Sequence, residues 1–185
     1  MLINFIKSKF VKKQKMSCDY KYFPKDTYVK IADFFKNNVI TEDVVIVCIG
    51  SNRTYTIDCL GPFVGSILKE DKNFHIPVYG SLINPINATN LIKKITKVKN
   101  EHPNEVVIVI DAALSSDESK VGMIDIKKGS LKPGNGAGKD LGEVGDISIR
   151  AFVAPVNINV MEYGVDLNFI SAMANIIVKG IKELN

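Results

Sequence analysis

Residues 44–62 read VVIVCIGSNRTYTIDCLGP, and the fold class turns on how this stretch divides. Val44 to Ile49 is an unbroken, mostly β-branched run, the pattern of a strand covered on both faces. Gly50 ends it, and the polar loop beyond carries Asn52 and Arg53. Asp58 then opens a helix whose apolar positions are Leu60, Val64, Ile67 and Leu68. Gly61 and Pro62 do not forbid that helix, because an amide in the first turn has no helical partner to lose. A strand running through a polar loop into a helix is the first half of a βαβ unit.

The flanking sequence supplies the remaining halves. His75 to Leu82 reads as a second strand, and Asn84-Pro85 as the cap and first residue of a helix with an apolar stripe of Ala88, Leu91, Ile92 and Ile95. Val106 to Ile110 is a third strand, again continuously apolar, and delivers Asp111 at its end. Two successive βαβ units predict a parallel sheet with helices on both faces, an α/β three-layer sandwich. Upstream, residues 25–38 place Tyr28, Val29, Ile31, Ala32, Phe34 and Phe35 at helical spacing behind Asp26 or Thr27. Downstream, Val121 to Lys127 alternates like an edge strand, and residues 129–146, GSLKPGNGAGKDLGEVGD, form a long glycine-rich loop. Ile147 to Val153 reads as a further strand, and Asp166 to Glu183 as a closing amphipathic helix.

At 185 residues, with 46% hydrophobic and 24% charged residues, the chain fits one soluble domain, assigned here to residues 21–185. Lys7, Lys9, Lys12, Lys13 and Lys15 give +5 against a formal net charge of +4, leaving −1 for the rest, so residues 1–20 are a basic extension and the body is near neutral. A near-neutral body offers no basic stripe, so nucleic acid is not an expected partner. The N-terminal run MLINFIKSKFVKKQKM is broken by lysines and lacks a small-residue cleavage site, so no secretion is expected. It reads as a frayed or docking segment, or as a short amphipathic helix touching a membrane. No apolar run reaches the roughly 18 residues a spanning helix needs, so integral membrane association is not expected. Three cysteines without tight spacing point to reduced thiols and a cytoplasmic setting.

In open parallel sheets function collects at the carboxyl ends of the strands, where the sequence places both Asp58 and Asp111. Two carboxylates within a few ångströms cannot both ionise cheaply, and such a pair can share a proton near neutrality. One carboxylate can then activate a water while the other donates to a carbonyl oxygen. The same oxygens could instead hold magnesium or calcium. The glycine-rich loop is not a Walker A element, since Pro133 stands where a glycine is required and Asp140 follows Lys139. It reads better as a flap whose backbone amides meet a peptide or an oxyanion. Arg53 could clamp a carboxylate or pair with an aspartate. Cys59, at the helix start, could have its thiol pKa lowered by the dipole, though packing is the simpler role, and Cys48 belongs to the core. His75 and His102 flank other elements and cannot activate it.

The blocks CIGSNRTYTIDCLGPFVG, VYGSLINPINATNL, VIVIDAAL and GSLKPGNGAGKDLGEVGDISI together resemble the YyaC-type sporulation proteins of spore-forming Firmicutes, in order over roughly residues 44–154. That family is similar to the spore germination protease and, more distantly, to hydrogenase-maturation endopeptidases. The resemblance implies a phosphorylase/hydrolase-like, hydrogenase-maturation-protease-like sandwich and peptidase activity in sporulation or germination, on a peptide or protein substrate and with no cofactor. It implies Asp58 and Asp111 as the catalytic pair, from the D-x-L-G-P and I-D-A blocks. Asn52, Arg53, Pro133, Gly134 and Gly136 become candidate substrate-binding residues, the last three from the P-G-x-G element. Asn52 departs from the pattern, which usually has an acid before the arginine. The nickel site of the maturation enzymes also needs a later histidine, and this chain has none after His102, so no metal is assigned. A non-catalytic protein that binds a partner through the loop face, and a carboxylate-metal hydrolase, are the rival readings.

Overall fold

The computed structural model describes residues 26–39, 43–134, 142–159, 163–164 and 166–184. The helix expected first is α1, Thr27–Asn38. Strand β1 is Val44–Cys48, and α2 is Leu60–Glu70. Next come β2, Val78–Tyr79, and α3, Leu91–Glu101. Then β3 spans Val106–Ser115, β4 Ile124–Lys128, β5 Ile147–Pro155 and α4 Leu167–Ile181. The strands form one sheet in the order β2-β1-β3-β5-β4. All neighbours are parallel except β4, which runs antiparallel to β5 at the edge. The alternating register sends Val44, Ile46, Cys48, Ile108, Ile110, Ile149 and Ala151 into one core with α1, α2 and α4. Val45, Val47, Val107 and Val109 enter the other, under α3. This is the expected three-layer α/β sandwich.

Three expectations need correction. The second strand is only two residues long rather than His75 to Leu82: it is an edge strand, and Gly80, at φ +87°, turns the chain away at once. No helix starts at Asn84-Pro85. Ile86 is buried and bridges Ile49 in extended form, which a helix there would prevent, so α3 begins at Leu91. The intervening asparagines fold the loop on itself: Asn87 Oδ1 accepts from the Thr89 amide at 3.0 Å, and Asn90 Oδ1 from the Asn87 amide at 3.0 Å. Val98 takes the inward place expected of Ile92, which is exposed. Lastly, β3 does not stop at Ile110, because β5 continues beside it to the Ser115–Pro155 pair after β1 has ended.

The close approach of α2 to the end of β1 depends on Gly61. A Cβ there would lie 2.1 Å from the Ile49 carbonyl oxygen, and backbone cannot swing aside as a side chain can. Gly61→Ala is therefore expected to destabilise the protein by about 1–3 kcal/mol, read as a lower urea midpoint. An unchanged midpoint would contradict that packing. Among the described residues no helix is long and apolar enough to cross a membrane.

Candidate active site

Asp58 is set by the polar loop after β1. Gly50 adopts φ +144°, and any side chain there would collide with the Asp58 carbonyl. The Ser51 amide donates to that same carbonyl at 2.9 Å, closing residues 51–58 into a tight loop. Inside it, the Thr56 amide and hydroxyl both donate to the Arg53 carbonyl at 2.9 Å, and the Arg53 amide donates to Ser51 Oγ at 3.3 Å. Asp58 then sits in a single 3₁₀ turn, Ile57–Cys59, immediately before α2. The loop is polar in sequence because it satisfies its own backbone.

Asp111 reaches the same place from β3. It is the first residue of that strand beyond the last pair with β1, Cys48–Ile110, so its β1 side is open. It does not stand at the end of its strand, where the sequence put it, but within it, in register with Arg150 of β5. Only 9% of it is exposed. Burial raises its carboxyl pKa well above the ordinary range, the nearby Asp58 charge raises it further, and the Ala112 amide opposes them. The two aspartates are thus brought together, with Asp111 favouring its neutral form.

Both line a cleft of about 950 Å³ at the carboxyl end of β1. Arg53, Pro133 and Gly134 line it too, whereas Asn52 is exposed and not among the lining residues. Gly136 and the middle of the glycine-rich loop lie outside the described residues. The ends of that loop are firmly anchored: Leu131 and Val144 exchange two backbone hydrogen bonds of 2.9 Å and are buried against the α3 core. The Asp146 carboxylate accepts from the Val107 amide at 2.9 Å, tying the loop to β3.

Sequence reasoning missed one wall of the cleft. Lys127 and Arg150 project from β4 and β5, with Lys132 and Glu143 from the loop ends. A signal for Arg150 was present: it is one of only two arginines in the chain and interrupts the apolar run ISIRAFVAP. Its guanidinium is paired with Asp125 of β4, and its Nε is buried without a partner.

The remaining candidates are not brought in. Burial pushes the Cys59 thiol up to about 11 and the Cys48 thiol up to about 12, which overturns any dipole-activated cysteine. Both histidines line a separate hollow of about 280 Å³ with Asp43 and Glu105. There His102 bonds the Tyr79 hydroxyl at 2.9 Å and Glu105 at 3.1 Å. The histidine that a nickel site of the resembled type requires is therefore missing from the aspartate cleft, and these residues do not fit that metal. Among the described residues no three His, Cys, Asp or Glu side chains form a metal-binding group.

With this geometry in view, comparison with known proteins decides the family. A family profile described as "Protein of unknown function (DUF1256)" matches residues 20–180. The chain belongs to the DUF1256 family. Among its relatives is the "Uncharacterized protein YyaC" of Bacillus subtilis (strain 168), 43% identical over 143 residues, which cover 75% of this chain and 67% of that protein. The aligned length spans most of the DUF1256 match. Among solved structures, the [NiFe] hydrogenase maturation protease HycI from Thermococcus kodakarensis KOD1 is similar at a TM-score of 0.45 and 18% identity, over 83% of this chain and 99% of that one.

Proposed function

We propose that this DUF1256 protein is a peptidase in which Asp58 and Asp111 form an acid–base pair. The observation that carries the reading is a buried carboxyl, Asp111, whose pKa is raised by burial and by the charge of a second carboxylate, in a cleft large enough for a peptide. Asp58, the less buried of the two, acts as the base and takes a proton from a water as its oxygen attacks the peptide carbonyl carbon. Asp111 gives its proton to the carbonyl oxygen, so the tetrahedral intermediate forms as a neutral gem-diol. Its collapse breaks the C–N bond: the proton held on Asp58 goes to the leaving nitrogen, and a hydroxyl proton returns to Asp111. The pair ends in its starting state. Arg53, Pro133 and Gly134 hold the peptide against the pair, Gly134 through its backbone amide. The resemblance of the sequence blocks to the germination protease supports reading this action as part of sporulation or germination, in the cytoplasm of the mother cell, forespore or spore.

The test is incubation of the purified protein with a mixed peptide library in the presence of a chelator, with new termini read by mass spectrometry. New termini that disappear in Asp111→Asn are expected. If none form, the peptidase reading fails. If they form only after a divalent cation is added back, the metal-hydrolase rival replaces it.

A further inference from the structure

Three charged residues stand in one row across the sheet. Asp111 of β3 is in register with Arg150 of β5, and Arg150 with Asp125 of β4. The alternation that sends Ile110, Ile149 and Ile126 toward the α1, α2 and α4 core turns all three to the opposite face, where the cleft lies. Adjacent strands are about 4.8 Å apart, so an arginine between two aspartates is within reach of either. Here the guanidinium is paired with Asp125 and stacks 5.6 Å from the Phe152 ring centroid, and it does not pair with Asp111. The Arg150–Asp125 pair is itself only partly buried, its side chains being 36% and 41% exposed, so the choice of partner is open to change.

We infer that Asp125 is a positioning residue: it holds Arg150 away from Asp111 and so keeps Asp111 the acid of the pair. This deepens the proposed function and rests on it only for the word acid; the geometry and the titration it predicts do not require cleavage. The other charged residues that line the cleft near Asp111 are Asp58 from the 3₁₀ turn and Arg53 from the loop after β1. Lys127 lies beyond it on β4, and Lys132 and Glu143, which pair at 3.9 Å, on the loop ends. Of the basic groups, Arg150 alone neighbours Asp111 in register, and an unpaired guanidinium there lowers an aspartate pKa by about 1–3 units. Arginine suits the task, because its charge persists at every pH of interest and its planar fork can be held by one carboxylate in one direction.

The experiment is a carboxyl ¹³C NMR titration of Asp111 in the full chain, with native folding checked by thermal melting. Asp125→Ala should lower the Asp111 titration by about 1–3 pH units. Asp125→Asn, which keeps a neutral acceptor, should lower it by less. Arg150→Met alone should leave it near the wild-type value, and Asp125→Ala/Arg150→Met should return it there. An Asp111 titration unmoved in Asp125→Ala, or equally low in the double variant, would overturn the inference. A shift seen in a protein that cleaves no peptide would uphold it while the peptidase reading fell.

Discussion

Asp58→Asn and Asp111→Asn are each expected to lower peptide cleavage by about 10²–10⁴-fold, the contribution of a positioned acid or base. Each asparagine is nearly the size of the side chain it replaces, so binding and folding should survive. The two effects should not add, because a base without its acid leaves the carbonyl oxygen unprotonated, and an acid without its base leaves the water unactivated. The double variant should therefore fall little below the worse single one. A further drop equal to the product of the two would mean that the residues act independently and not as a pair. Initial rates on any peptide identified from the library, for the four proteins side by side, make the comparison.

Asp111→Asn should also stabilise the protein, and only above acidic pH. The native Asp111 carboxyl has a raised pKa, with burial the leading cause. In the unfolded chain it returns to about 3.9. Below that value both states hold the proton and the residue costs nothing. As pH rises from there toward the native pKa, the unfolded chain ionises while the native site resists, and folding stability is lost. The variant carries no such penalty. Its advantage should be near zero at pH 3.5 and grow to about 1–3 kcal/mol at pH 8, the scale of an imperfectly compensated buried polar group. Urea unfolding at the two pH values measures it. An advantage independent of pH, or a variant less stable at pH 8, would mean that Asp111 is well compensated in the native state.

On the proposed function these effects trade stability for chemistry, and the sequence showed part of the arrangement. Strands β1 and β3 were legible because strands covered on both faces need unbroken apolar runs, and Val44–Cys48 is buried throughout. The Asp58 loop was legible because its polar residues bond one another. The start of α3 was not: Asn84-Pro85 carries a strong local helix signal, but Ile86 is claimed by a long-range bridge to Ile49, which outweighs it. Arg150 was hidden for a related reason. Its importance lies in sitting beside Asp111 and Asp125, and strand register appears in no single stretch of sequence. The two aspartates could be named from their blocks; the charge row that surrounds them needed the fold.

Asp58 and Asp111 are proposed to form one coupled pair in the cleft at the carboxyl end of β1. Carboxyl ¹³C titration of Asp111 in the wild-type protein and in Asp58→Asn tests it most directly. An Asp111 pKa well above about 3.9 is expected in the wild type, and a lower one, though still raised by burial, once the Asp58 charge is removed. An Asp111 that titrates like an ordinary exposed carboxylate, or that is indifferent to the loss of Asp58, would contradict it.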